Sequence, residues 1–67
     1  MSDPTSHHLD AAARHDLAAK RHDDAARFWD GQGDDARARL QRDLADLERR
    51  GAELERRWAE VVRADPR

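Results

Sequence analysis

Between Pro4 and Pro66 the chain offers a helix one place to stop, the tetrapeptide Gly31-Gln32-Gly33-Asp34. The stretches on either side contain no proline and, apart from Gly51, no glycine, so neither carries a built-in break. Gly31 can adopt the left-handed conformation that closes a helix, and Asp34 or Asp35 can cap the next by accepting from a free backbone N–H. Asp3 followed by Pro4 suits an N-cap and first-turn pair, and Asp65-Pro66 ends the second helix. The expected fold is all-α, one domain over residues 1–67, with helix one across about 5–30, a turn at 31–34 and helix two across about 35–64. The two helices would close into an antiparallel hairpin.

Such a hairpin has little to hold it together. A chain of 67 residues without cysteine has no disulfide or thiolate-metal staple, and a core of this size is worth only about 3–5 kcal/mol. With 42% charged and 37% apolar residues, the composition lies near that of disordered chains, and only the ordering of residues argues for a fold.

That ordering is heptad. Residues 8–28 read HLDAAAR, HDLAAKR, HDDAARF, and His8, Ala12, His15, Ala19, His22, Ala26 and Trp29 alternate by four and three along one face of helix one. On helix two, Leu40, Leu44, Leu47, Gly51, Leu54, Trp58 and Val61 do the same and are expected to form its seam. Closing through the turn would pair residues whose numbers add to about 66: Ala26 with Leu40, His22 with Leu44, Ala19 with Leu47, His15 with Gly51, Ala12 with Leu54, His8 with Trp58. Gly51, costly inside a helix, would then leave room for the His15 ring. Arg42, Arg49, Arg56 and Arg63 form an outward column supported by Asp46, Glu53 and Glu60 three residues before them.

A second strip, Ala11, Ala18 and Ala25, flanks the seam of helix one, and two helices alone cannot cover both it and the leucines. The expectation is a homodimer forming a four-helix bundle, with Ala11, Ala12, Ala18, Ala19, Ala25, Ala26 and Trp29 of helix one and the helix-two seam at the interface. Leu17 and Phe28 lie on the far side of helix one, where they could meet a different protein partner.

The histidines are the only groups with evident chemistry. Residues three and four away from His15 and His22 are alanine, so neither ring has a ligand on its own helix, and rings seven apart are separated by about 10.5 Å along the axis. A metal site would have to be built between chains from His8, His15 and His22, and two imidazoles could hold Cu(I) or bracket a haem iron, whereas a zinc or di-iron site would lack ligands. The competing reading makes them space-filling seam residues. Imidazoles buried away from charge would resist protonation, so such a fold is expected to weaken in acid.

Several functions are disfavoured. The few hydroxyls, Ser2, Thr5 and Ser6, sit at the N-terminus, and no phosphate-binding glycine loop or paired carboxylate in a cleft stands out, so no enzyme is expected. A net charge of −2 argues against nucleic acid, and the interleaved acids neutralise the arginine column as a phosphate stripe. No apolar run approaches the roughly 18 residues that span a bilayer, and no leader-like segment is evident, which leaves a cytoplasmic protein without a membrane partner as the expectation. The run HxxAAxxHxxAA, a short linker and GD, over residues 8–36, resembles a loose class of small bacterial alanine- and histidine-rich helical-hairpin proteins of unknown function. The resemblance implies an architecture only. Those proteins carry histidines on the second helix as well, where this chain has leucines.

Overall fold

The computed structural model describes residues 3–65. Helix α1 spans Pro4–Gly31 and helix α2 spans Asp35–Ala64, packed side by side as a hairpin 54 × 18 × 9 Å in extent. Among the described residues there is no strand.

The helix ends follow local chemistry. The Asp3 side chain accepts from the Thr5 N–H at 3.1 Å, with Pro4 in the first turn where no amide hydrogen is needed. At the other end of α1 the left-handed residue is Gly33, φ +74°, and not Gly31, which remains helical. The reason lies in two bonds: Gly33 N–H reaches the Asp30 carbonyl at 3.0 Å and Asp34 N–H the Trp29 carbonyl at 2.9 Å, closing the last turn one step beyond Gln32. Asp34 then caps α2, accepting from the Arg37 N–H at 2.9 Å and pairing with the Arg37 guanidinium. The amide bond first, and the guanidinium second, hold the Asp34 carboxyl below the usual carboxylate range. Asp65 ends α2 in extended conformation, and Ser2 and Pro66 lie outside the described residues.

The core consists of alanine. Ala12, Ala19 and Ala26 on α1 and Ala38, Ala45, Ala52 and Ala59 on α2 are 0–2% exposed, and no large side chain is fully buried among the described residues. Thr5 continues the α1 column one heptad towards the N-terminus and is also buried, inside the helix and not in a loose end. A methyl group every seventh residue lets two helix backbones approach closely, and alanine costs nothing in helix propensity.

This corrects the expected seam of α2. Leu40, Leu47 and Val61 are 57%, 66% and 68% exposed, and Leu54 and Trp58 are exposed too, with Leu44 half-buried. The alanine column lies on a neighbouring face, so Ala12, Ala19 and Ala26 pack at the level of alanines and not of leucines. The histidine face of α1 does turn towards α2: His8, His15, His22 and Trp29 are half-buried there.

Candidate functional site

One rule generates the contacts on both helices. From each seam alanine, the residue three further on falls to one side of the seam and the residue four further on falls to the other. On α1 these are His15 and Asp16 after Ala12, and His22 and Asp23 after Ala19. On α2 they are Glu48 and Arg49 after Ala45, and Glu55 and Arg56 after Ala52. Antiparallel packing brings like sides together, which makes two ladders.

The first ladder is ionic. Arg42, Arg49 and Arg56 cross to Asp30, Asp23 and Asp16, residues whose numbers all add to 72. The arginine column is therefore not a purely solvated face supported within α2, although Arg49 also meets Asp46 at 3.3 Å. The partners are half-exposed, so each pair contributes modestly, at most about 1 kcal/mol, and its larger effect is on alignment.

The second ladder carries the histidines. Nδ1 of His8 lies 2.7 Å from Oε2 of Glu55, Nδ1 of His15 lies 2.5 Å from Oε2 of Glu48, and Nδ1 of His22 lies 2.7 Å from Oε1 of Gln41. A carboxylate and an amide oxygen can only accept, so Nδ1–H donates in every rung and Nε2 is left over. The residues on α2 that hold the rings escaped the sequence reading, which put Leu44, Gly51 and Trp58 at the levels of the rings and not Gln41, Glu48 and Glu55. Two of the three rings meet carboxylates directly, so they are not held away from charge as the sequence reading expected.

On their other flank two of the rings meet α2 again, at Gly51 and Trp58. The His8 and Trp58 rings stack with centroids 4.5 Å apart and 22° between planes. A methyl group at Gly51 would come within 3.0–3.1 Å of the His15 ring atoms. The pairings of His15 with Gly51 and His8 with Trp58 are thus the ones the sequence suggested. Replacing Gly51 by leucine should accordingly fail to stabilise the protein despite a helix-propensity gain of about 1 kcal/mol, since overpacking costs about 1–3 kcal/mol. A thermal melt of Gly51→Leu clearly above the wild type would show that the ring yields freely.

The two sides of the hairpin are chemically unlike. One carries the Asp–Arg ladder. The other has the histidine ladder at its centre, half-buried Ala11, Ala18 and Ala25 beside it on α1, and Leu44, Gly51 and Trp58 beside it on α2, with exposed Leu40, Leu47, Leu54 and Val61 adjoining. Leu17 and Phe28 are exposed, Phe28 edge-on to Trp29 at 5.1 Å, and Arg37 sits 5.1 Å over the Trp29 ring. Among the described residues no three metal-ligating side chains converge within one chain and no pocket forms. Among the described residues no helix is long and apolar enough to cross a membrane. Comparison with known proteins finds no matching family model, no matching curated protein and no matching solved structure.

Proposed function

We propose that this chain is a self-associating structural hairpin, two copies stacking their apolar faces into a four-helix coiled-coil bundle. The observation that carries the reading is the one-sidedness of the apolar surface: the large side chains of α2 gather on the face opposite the ion pairs, where α1 cannot cover them. The amount of surface agrees. Compact monomers of 7.7 kDa expose roughly 4,300 Å², whereas this hairpin exposes 5242 Å². The excess of roughly 900 Å² is close to the ~800 Å² that each partner buries in a standard interface. Leucines on α2 of one copy over the alanine strip on α1 of the other would bury it, large against small. The leucines would then lie at the dimer interface expected from sequence.

Sedimentation of the purified chain at micromolar concentration should show a dimer whose melting temperature rises with protein concentration. A helical monomer with concentration-independent melting overturns the reading.

A further inference from the structure

We infer that acidity regulates the self-association proposed above, on which this rests: two hairpins take up protons from solvent at His8 and His15 as they stack, so the assembly tightens in acid. The histidine ladder lies at the centre of the face that a second copy would cover, and its rungs are not alike in charge. With the ring neutral, His8–Glu55 and His15–Glu48 each pair an imidazole N–H with a carboxylate and carry one net negative charge. The His22–Gln41 rung carries none. Glu55 and Glu48 are the charged groups that these two rings meet. On α1 the residues three and four away from either ring are uncharged, and on α2 the rings' other contacts are Trp58 and Gly51.

Stacking gives that charge its effect. The side chains are 21% and 25% exposed in the His8–Glu55 rung and 39% and 28% in the His15–Glu48 rung, so water still screens them on a lone hairpin. A second copy laid over the ladder removes much of that water, and an unneutralised carboxylate is far costlier to bury than an ion pair of zero net charge. A proton on the second ring nitrogen turns each rung into such a pair. Two rungs neutralised per chain also cancel its formal charge of −2, which lowers the repulsion between copies. The sign follows from linkage: protons bound on association make the association constant rise as pH falls, by up to about tenfold per pH unit for each proton taken up. The rise ends where the rings of the lone hairpin are protonated as well.

The test is sedimentation of the whole chain at about pH 8, 7 and 6, spanning the ordinary imidazole range, with circular dichroism at each pH to show that the helices persist. The dissociation constant of the dimer should fall at least about tenfold across that range. Glu48→Gln with Glu55→Gln makes both rungs like His22–Gln41. A protonated ring would then bury an unpaired charge, so the slope should reverse and acid should loosen the dimer. Asp10→Asn with Glu60→Gln removes the same amount of charge from exposed positions off the ladder and should keep the wild-type slope. A dimer whose affinity is level or falls on acidification, or that tightens equally without Glu48 and Glu55, overturns the proton uptake and leaves the stacking in place. A chain that is monomeric at every pH overturns both.

Discussion

Replacing Ala45 by leucine should lower the melting temperature by roughly 10–20 °C. Ala45 is wholly buried at the middle of the seam, where the side chains on both helices are alanine. Three additional carbons there must push the helices apart, and separation at one level strains the ladders on both sides, since rungs of 2.5–2.7 Å have no slack. Overpacking costs about 1–3 kcal/mol, and each kcal/mol moves the midpoint of a domain this small by about 4–8 °C. Against a core worth about 3–5 kcal/mol the substitution is severe. Ala13→Leu, on an exposed position of α1, serves as the control and should stay within about 0.5 kcal/mol of the wild type. A variant at position 45 that melts at or above the wild type would mean that the alanines are not the seam.

The double substitution Leu47→Glu with Leu54→Glu should convert the assembly to monomers. Both side chains are exposed on the lone hairpin, so its own packing is untouched. In the stacked pair they would be covered, and burying a leucine is worth about 1.5–3 kcal/mol. Four lost leucines per dimer then weaken association by at least about 10⁴-fold, before any charge repulsion is counted. Sedimentation at a concentration where the wild type is dimeric should give the mass of one chain, with helical circular dichroism retained. Persistence of the dimer would place the interface elsewhere, on Leu17 and Phe28 or on the alanine strip alone.

Much of the fold was legible because it depends on single residues acting locally. Asp3 and Asp34 mark helix starts by accepting from amides within a turn, Asp65 ends α2 with its own N–H on the Val62 carbonyl, and the histidine heptad shows which face of α1 turns inward. The seam of α2 was not legible for the opposite reason. By hydrophobicity alone the leucine stripe outranks Ala38, Ala45, Ala52 and Ala59, yet α1 presents only methyl groups and polar rings, and a leucine facing it would hold the backbones apart and break every rung. The signal that identifies the true seam is relational. Asp16, Asp23 and Asp30 on one helix and Arg42, Arg49 and Arg56 on the other repeat at the same interval, and only a register that satisfies both puts alanine against alanine. Gly51 pointed the same way, since a glycine at the level of a histidine makes sense only if the ring crosses over it.

The regularity of the two ladders has a consequence for how the hairpin knows where to stop. Slide α2 by seven residues against α1 and Asp16, Asp23 and Asp30 meet Arg63, Arg56 and Arg49, while His15 and His22 meet Glu55 and Glu48. Nearly every pairing is restored about 10.5 Å away. The side-chain code is periodic and by itself selects no single alignment. What selects it is the turn, where Gly33 and the two amide bonds behind it leave no residue to spare. That short connection serves as the molecule's ruler. Severed there, the halves would behave as two toothed racks, able to re-engage at any whole tooth.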